Sequence, residues 1–264
     1  MLKDKVAAAV SLLRSFEPKE GYYLAFSGGK DSQVVYHLAK LAEVKFDAHY
    51  NFTTVDPPEL VRFVKSSYAE VSVDMPRSTM WQLIVNNKMP PTRWLRYCCK
   101  RLKEVGGIKR YNITGVRWEE SANRRNKRAL IETNACSRSL KHDTIMFFNE
   151  NSYENKLKVN SCKILTKHII NPIINWTEAD VWDFISWTKL SYCKLYDEGF
   201  SRIGCVGCPL QGRKGMLRDF DRWPNFRKAY IKAFSKMLDA RKAGLSKKDD
   251  WQTAEEVFEW WLGK

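Results

Sequence analysis

The chain has 264 residues, of which 44% are hydrophobic and 28% are charged, and ten of them are tryptophans. This composition is typical of a folded globular protein and excludes a disordered one, and no stretch approaches the ~20 apolar residues of a membrane span. The net charge of +15 indicates a polyanionic partner, either nucleotide phosphates or a nucleic acid, although a solvated basic surface would carry the same charge.

The amino-terminal segment is short and amphipathic. Residues 6–13 are mostly apolar, charged residues adjoin them, and no small-residue cleavage site follows. We therefore expect no signal peptide, no membrane partner and a cytoplasmic location.

The strongest local signal is a glycine-rich turn between a predicted strand and a predicted helix. The apolar run at 22–26 predicts a buried strand, and the apolar spacing over 33–42 predicts a helix. Glycines let backbone N–H groups approach an anion, and a helix amino terminus adds partial positive charge. We interpret this turn as a phosphate-binding loop, and its members are Ser27, Gly28, Gly29, Lys30, Asp31 and Ser32.

The spacing of this turn is neither that of a Walker A loop nor that of a dinucleotide fingerprint. A Walker A loop has four residues between its first glycine and its Gly-Lys pair, and the fingerprint is G-x-G-x-x-G. A turn that only caps the helix through Ser27 is the alternative interpretation. The strand before the turn and the helix after it favour phosphate binding.

Further predicted strands and helices alternate along the chain. Strand-like runs occur at 44–52, 71–73, 111–116 and 144–148, and a helix is expected at 58–68. This alternation predicts an α/β fold with a mainly parallel sheet. Ligands of such sheets bind beyond the carboxyl ends of strands, which is where the glycine-rich turn lies.

The second half of the chain combines a polar segment with helices. Residues 121–163 are polar, and we expect a long surface insertion or a mobile flap there. Thr177 is predicted to cap a helix, and the residues after 204 are predicted to be helical. The first of these helices is expected to bury Val181, Phe184 and Ile185, and the last to bury Val257, Phe258, Trp260 and Trp261.

Seven cysteines without a secretory signal favour metal or redox chemistry over disulfides. Cys205 and Cys208 form a C-x-x-C turn, whose two sulfurs can face one metal centre. Cys98 and Cys99 are adjacent, so both reach one centre only if it is bulky or the backbone is distorted. The four thiols favour a [4Fe-4S] cluster, and a zinc ion, a redox dithiol and unmetallated thiols stay open as alternatives. The isolated cysteines are expected to be small buried residues, namely Cys136, Cys162 and Cys193.

Taken together, the motifs resemble the phosphoadenosine phosphosulfate (PAPS) reductase family of the PP-loop ATP pyrophosphatase superfamily. The Ser-Gly-Gly-Lys-Asp-Ser turn is similar to the first family motif. Residues 52–59 are similar to the second, an Asp-Thr-Gly followed by proline and glutamate, although here threonine precedes Asp56 and the glycine is missing. The paired cysteines with Lys103 are similar to a further motif, and the resemblance spans residues 22 to about 215. Its remaining parts lie at 115–124, 171–182 and 195–208.

The resemblance implies a Rossmann-like, adenine nucleotide alpha hydrolase-like fold with a helical carboxyl-terminal region. It implies a PP-loop nucleotide-binding domain at 1–200, with the C-x-x-C turn and a helical extension at 201–264 packed on it. The implied catalytic residues are Lys30, Asp31 and Arg117. The implied ligands of ATP or PAPS are Ser27, Gly28, Gly29, Lys30, Asp31, Ser32, Asp56, Glu59, Gly115, Arg117, Ser121 and Arg124, and those of the cluster are Cys98, Cys99, Cys205 and Cys208.

One departure from the family decides which reaction we expect. The reductases attack their sulfonucleotide with a cysteine in a carboxyl-terminal Glu-Cys-Gly-apolar-His motif, and these 264 residues hold no cysteine after Cys208. We therefore expect an ATP pyrophosphatase that uses Mg²⁺ with ATP, adenylates an acceptor and transfers sulfur, with a sulfur donor or reductant protein and a nucleic acid as further partners. The alternatives are a PAPS or adenosine phosphosulfate reductase that uses Cys193 or Cys136, and a nucleotide-binding accessory subunit without catalysis.

Overall fold

The computed structural model describes residues 1–134, 145–161, 167–243 and 251–263. The chain forms two compact units. The first consists of Met1–Tyr50, Arg62–Val73 and Gly106–Phe200, and the second of Asn51–Val61, Asp74–Val105 and Ser201–Lys264. The division into domains at residue 200 stays a prediction. Cys136, Cys162 and part of the 121–163 segment lie outside the described residues.

Seven strands form one sheet. They are β1 (Tyr22–Phe26), β2 (Phe46–Asn51), β3 (Ser72–Asp74), β4 (Tyr111–Ile113), β5 (Ile131–Asn134), β6 (Ile145–Phe148) and β7 (His168–Ile170), in the order β3-β2-β1-β4-β7-β5-β6. Strand β1 is parallel to β2 and β4, and β4 is parallel to β7. Strand β5 runs antiparallel to both β7 and β6. The predicted α/β fold with a mainly parallel sheet is confirmed.

The order of the strands reverses at β1. The chain passes from β1 to β2 on one side, and β4 later pairs on the other side. The connections out of β1 and β4 therefore diverge, and a crevice opens at their carboxyl ends, where open α/β sheets bind ligands. A ligand-binding site is therefore expected at the residues that follow β1 and β4.

The helices up to residue 187 are α1 (Leu2–Ser15), α2 (Lys30–Leu41), α3 (Pro58–Ser67), α4 (Met80–Asn87), α5 (Ala122–Lys127), α6 (Tyr153–Ser161) and α7 (Glu178–Trp187). Helix α2 begins three residues earlier than the apolar pattern predicts, so Lys30 lies in its first turn. At α7 the predicted cap is confirmed, because Thr177 Oγ1 accepts the N–H of Asp180 at 3.1 Å. The predicted stripe of α7 is buried, and its members are Val181, Phe184 and Ile185.

The second unit contains α4 and the last three helices, α8 (Gly212–Arg222), α9 (Pro224–Lys242) and α10 (Ala254–Trp261). Its core is aromatic: Tyr230 lies 4.7 Å from Trp261, ring centre to ring centre, and Phe220 lies 5.1 Å from Phe258. The prediction that Trp260 is buried is wrong, since its exposed fraction is 39%. Trp260 lies two positions after Phe258, about 200° around the helix, and so faces away from this core.

No helix in the described part of the chain is both long enough and apolar enough to cross a membrane.

Candidate functional site

The glycine-rich loop is held by its own serines. The Ser27 N–H donates to Ser32 Oγ at 3.2 Å, and Ser32 Oγ donates to the Gly29 carbonyl at 2.8 Å. Gly28 has a φ of +73°, a conformation that a side chain would strain. Ser27 is not the cap of α2, because Gly29 occupies that position, and Ser27 Oγ accepts the Gly29 N–H at 3.4 Å. Phosphate binding by this loop stays a prediction.

Lys30 is nearly buried, with 4% of its side chain exposed. Its Nζ lies 3.2 Å from Glu178 Oε1 and 3.6 Å from Asp31 Oδ2. The same nitrogen lies 5.3 Å from the centre of the Tyr196 ring, and Tyr196 Oη accepts the backbone N–H of Lys30 at 2.9 Å. Lys30 is therefore positioned by an ion pair, a ring face and a helix start.

Arg117 is buried beside this lysine, with 2% exposed. Its Nε donates to Asp31 Oδ1 at 2.6 Å, Nη1 to Glu119 Oε2 at 2.9 Å and Nη2 to Glu178 Oε2 at 2.7 Å. Nη1 also donates to the Trp176 carbonyl at 3.4 Å. Each guanidinium nitrogen thus has a protein acceptor.

These five side chains form an ion-pair network, defined by Lys30, Asp31, Arg117, Glu119 and Glu178. Burial by itself would raise the pKa of Glu178, but Lys30 and Arg117 outweigh it and hold that pKa below its usual range. Burial would likewise lower the pKa of Arg117, and Asp31 and Glu178 raise it instead. With three carboxylates against two cations, the network carries a formal charge of −1.

Gly115 follows β4 and touches the start of α2. A Cβ at Gly115 would lie 2.9 Å from the carbonyl carbon of Asp31 and 3.1 Å from the backbone nitrogen of Ser32. Because both neighbours are backbone atoms that cannot swing aside, only glycine fits here. The close approach fixes the loop against the strand at the point where the sheet order reverses.

Two other predicted nucleotide ligands make local contacts. Ser121 caps α5, and its Oγ accepts the Arg124 N–H at 3.2 Å. The Arg124 guanidinium forms an ion pair with Glu120. Both residues lie in the first unit with the glycine-rich loop. Their contact with a nucleotide stays a prediction.

Asp56 and Glu59 belong to the second unit. Asp56 accepts the Thr53 N–H at 2.6 Å and so closes a tight turn. Glu59 accepts Trp223 Nε1 at 3.1 Å and Arg222 Nη2 at 3.0 Å. Their predicted role in nucleotide binding stays a prediction.

The paired cysteines lie at a distorted turn in the second unit. Residues Cys99–Lys103 form a π-helical turn, in which the Glu104 N–H donates to the Cys99 carbonyl at 3.0 Å. Such turns are rare and frequently occur at functional sites. A distorted backbone is one of the two conditions under which adjacent cysteines can share a centre.

The C-x-x-C turn is fixed by three hydrogen bonds within the same unit. The Val206 N–H donates to the Val55 carbonyl at 2.8 Å, and Tyr230 Oη donates to the Val206 carbonyl at 3.0 Å. The Gly207 N–H donates to Asp219 Oδ2 at 2.9 Å. Gly207 has a φ of +70°, and a Cβ there would lie 2.5 Å from the Phe220 ring. The turn is therefore rigid.

The four thiols lie in one another's electrostatic field. A hydrogen bond with Cys99, then burial, then the charges of Cys99, Cys205 and Cys208 raise the pKa of Cys98. The bond from Cys98 and the one from Arg96 lower the pKa of Cys99 to about 5, and Arg96 Nη2 lies 3.6 Å from Cys99 Sγ. The charge of Cys205 first, then that of Asp56 and to a lesser degree that of Cys208, raise the pKa of Lys103.

Four thiols are the usual ligand set of a [4Fe-4S] cluster. Among the described residues, no group of three or more His, Cys, Asp or Glu side chains is placed to hold one metal ion. Zinc would need its four ligand atoms within about 2.3 Å of one point. The four thiols are half-buried, and whether they hold a [4Fe-4S] cluster or a zinc ion stays a prediction.

Sequence reasoning missed three side chains of the first unit's site, Glu119, Glu178 and Tyr196. Glu178 directly follows the predicted cap Thr177, and Tyr196 lies within the family motif at 195–208, but the sequence assigned neither of them a role in the site. Their contacts with Lys30 and Arg117 join residues distant in sequence, which no local pattern reports. The excess of acids near the predicted phosphate ligands was the available signal.

The sheet, its reversal at β1 and the glycine-rich loop define an α/β protein of the nucleotide-binding type. The family model described as "Phosphoadenosine phosphosulfate reductase domain" matches residues 21–211, and the chain belongs to this family.

Two relatives and one solved structure illustrate the similarity. An uncharacterised protein of Methanocaldococcus jannaschii is 29% identical over 83% of this chain and 47% of its own length, so the chain spans about half of that relative. An adenosine 5'-phosphosulfate reductase of Staphylococcus haemolyticus is 27% identical over 76% of each chain. A PAPS reductase structure from Candida auris is 19% identical, with a TM-score of 0.45 over 77% of this chain and 93% of that one.

Proposed function

We propose that this chain is a PP-loop enzyme that binds ATP with Mg²⁺ at the glycine-rich loop and adenylates an acceptor. The acceptor oxygen would bond to the α-phosphorus, the bond from that phosphorus to the bridging oxygen would break, and pyrophosphate would leave with the electron pair. The adenylated acceptor would then take up sulfur from a donor protein, and AMP would leave. The donor and a nucleic-acid acceptor are part of the proposal.

The observation that carries the proposal is the charge of the ion-pair network. A site with three carboxylates and two cations repels a bare phosphate, but it suits a nucleotide that brings its own divalent cation. Mg²⁺ is commonly held by one or two carboxylates together with substrate phosphates. Asp31 and Glu178 are 21% and 45% exposed, so both are accessible to such an ion.

With Mg²⁺ at Asp31 and Glu178, Lys30 would lose part of its pairing with these carboxylates and would turn to the phosphates. Lys30 Nζ, fixed at the start of α2, would stabilise the charge that develops on the departing pyrophosphate. Arg117 would hold Asp31 and Glu178 in position for the metal ion rather than bind a phosphate itself.

The second unit would supply the sulfur chemistry. Cys98, Cys99, Cys205 and Cys208 would hold a [4Fe-4S] cluster, which when bound provides electron or sulfur transfer. The rigid C-x-x-C turn and the π-helical turn support this assignment because both fix thiols before the cluster binds.

A reductase reaction is the second candidate function, and the adenosine 5'-phosphosulfate reductase relative favours it. Such a reaction needs a cysteine that attacks the sulfur of the sulfonucleotide. Cys193 is 1% exposed, which leaves a substrate no access to its thiol. Cys136, the other cysteine considered for this role, lies outside the described residues.

One set of assays separates the two functions. Anaerobically purified protein is incubated with ATP, adenosine phosphosulfate or PAPS, with a candidate acceptor and a dithiol, and AMP, pyrophosphate and sulfite are measured. We expect AMP and pyrophosphate from ATP only when Mg²⁺ is present, and a higher Mg²⁺ requirement in Glu178→Gln. Lys65→Gln, which changes an exposed lysine elsewhere in the first unit, is the control. Sulfite from a sulfonucleotide without any cleavage of ATP would contradict the proposal.

A further inference from the structure

A groove of about 490 Å³ lies between α4 and α9 in the second unit. Val85 of α4 and Ala229 and Ala233 of α9 form part of its apolar surface. Trp81 lies in it half-exposed, and two lysines of α9 border it. Among the described residues that line this groove, none is acidic.

The lysines form a row along α9. Lys228, Lys232 and Lys236 are exposed and follow one another at intervals of four residues. Residues at that interval share one face of a helix, and each step advances about 6 Å along the axis. Lys232 and Lys236 line the groove itself, and Lys228 continues the row by one turn. The result is a line of positive charges beside an apolar surface.

Trp81 is held as a platform. Its ring meets the buried Tyr230 ring edge-on, at 5.0 Å between centres and 80° between planes. Tyr230 is itself fixed by its hydrogen bond to the Val206 carbonyl. An indole fixed by a perpendicular ring contact and partly exposed in a groove can stack against a flat ligand with little further loss of side-chain freedom.

We infer that this groove binds a single-stranded nucleic acid, with phosphates along the lysine row and a base stacked on Trp81. Proteins that bind single strands combine a basic groove that follows the backbone with aromatic side chains that stack on the bases. The net charge of +15 supplies the long-range attraction for such a partner. A protein ligand would need acidic side chains opposite all three lysines, whereas a polynucleotide meets them with its regular backbone. The inference does not rest on the proposed reaction.

The test measures the affinity of the full chain for a fluorescent twelve-nucleotide oligothymidylate at several salt concentrations. The triple substitution Lys228→Gln, Lys232→Gln and Lys236→Gln should weaken binding at least tenfold at low salt. It should also reduce the slope of log affinity against log salt by about 2, at roughly 0.7 for each lost contact with a single-strand phosphate. The matched control carries Lys3→Gln, Lys19→Gln and Lys65→Gln, which are exposed lysines of the first unit, and should change affinity less than twofold.

Trp81 is tested with two substitutions and a cross-link. Trp81→Leu removes the stacking of one base and should weaken the affinity for the oligonucleotide about 5- to 100-fold. Trp81→Phe keeps an aromatic ring and should retain most of the affinity. An oligonucleotide without bases should bind the wild type and Trp81→Leu equally. Photo-cross-links from thiothymidine should map to α4 and α9. Thermal unfolding of each variant shows that the fold is intact.

Two outcomes would overturn the inference. Equal loss of affinity in both lysine triples would mean that the nucleic acid is attracted by diffuse surface charge. Cross-links confined to Trp94, which is 96% exposed on another segment, would place the strand elsewhere. Mg²⁺-dependent binding of ATP without nucleic acid is measured separately and should be unchanged in the lysine triple, so failure here leaves the proposed nucleotide site untouched.

Discussion

Arg117 has a buried guanidinium whose three nitrogens all point at protein acceptors, and it thereby joins the first turn of α2 to the start of α7. A single arginine can do this because its donors form a planar fork, whereas an ammonium offers one compact charge. Removing it would leave Asp31, Glu119 and Glu178 facing one another. Arg117 therefore stabilises the fold by holding these carboxylates apart, whether or not it also takes part in catalysis.

We expect Arg117→Met to lower the free energy of unfolding by about 1–3 kcal/mol, because the buried hydrogen bonds are lost while the partly exposed carboxylates stay hydrated. Chemical denaturation of the two proteins at neutral pH measures the difference. Arg125→Met is the control, because Arg125 is exposed on α5 and its loss should change stability by less than about 0.5 kcal/mol. Similar stabilities for the two variants would show that the network contributes little.

Gly115→Ala should also destabilise, since its new methyl group would meet the backbone of Asp31 at 2.9 Å. Overpacking of this kind costs about 1–3 kcal/mol. Gly29→Ala is the matched control: its Cβ would come no closer than 3.4 Å to Ser27 Oγ and Tyr196 Oη, and no positive φ forbids it. Thermal melts should therefore separate the two alanines. A melting temperature for Gly29→Ala as low as that for Gly115→Ala would contradict this account.

Sequence reasoning predicted the loop of this candidate site but not the ion pairs that surround it. The loop from Ser27 to Ser32 was found because its glycines, its strand and its helix are local features. Arg117 was assigned to phosphate because a basic residue in a phosphate-binding motif is ordinarily a ligand. In the structure its charge is paired with Glu119 and Glu178. This pairing depends on how α7 packs, and the residue spacing within either segment does not predict that packing.

At the scale of elements, strand β7 joins the parallel and antiparallel parts of the sheet, because it is parallel to β4 and antiparallel to β5. Its His168 is fully buried, with its ring 4.7 Å from that of Tyr111 and its Nε2 3.0 Å from Thr133 Oγ1. Burial lowers the pKa of His168 to about 4. The folded sheet therefore holds a neutral imidazole that the unfolded chain would protonate.

The sign of the pH effect follows from this lowered pKa. In the unfolded chain His168 binds a proton below about pH 6.5, but in the folded chain it does so only near pH 4. Acid therefore favours unfolding across that interval. We expect the free energy of unfolding to fall as the pH is lowered from 6.5 to 4, with up to about 3 kcal/mol from His168. Denaturation of His168→Phe, which keeps a ring against Tyr111, should show a shallower slope. The pKa of His37 is also lowered, so His37 contributes to the slope of the wild type and of the variant alike. A slope that is the same in His168→Phe as in the wild type would contradict the contribution of His168.

The elements themselves were predictable to different degrees. Strand β1 and helix α2 follow from apolar spacing, because one is a continuous buried run and the other a regular helical stripe. The antiparallel placement of β5 was not predictable, since strand pairing is decided by contacts far apart in sequence. For the π-helical turn at Cys99–Lys103, the sequence offered only an indirect indication. Cys98 and Cys99 are adjacent, so they can reach one centre only if it is bulky or the backbone is distorted.

At the scale of the whole molecule, the two units are interleaved along the chain. The second unit gathers Asn51–Val61, Asp74–Val105 and Ser201–Lys264, and its cysteine pairs come from the last two of these segments. A pattern within either segment cannot show that they meet. The sequence grouped the four cysteines by their thiol chemistry, and the resemblance to a family implied the same set. The chain between the pairs contains Gly106–Phe200 of the first unit.

A cluster held by both pairs would close a loop of roughly one hundred residues, a constraint worth about 5 kcal/mol in the chain-entropy model of cross-links. We expect loss of the cluster by oxidation to lower the unfolding temperature of the whole chain, and Cys205→Ser to lose both iron and that stabilisation. Cys193→Ser is the control, because Cys193 is buried in the first unit and should leave the iron content at four per chain. Iron and sulfide analysis of anaerobic protein, followed by thermal melts before and after oxidation, measures both effects. Melting curves that do not change when iron is lost would mean that the segments carrying the four thiols fold equally well without a metal centre. The cluster would then serve chemistry alone.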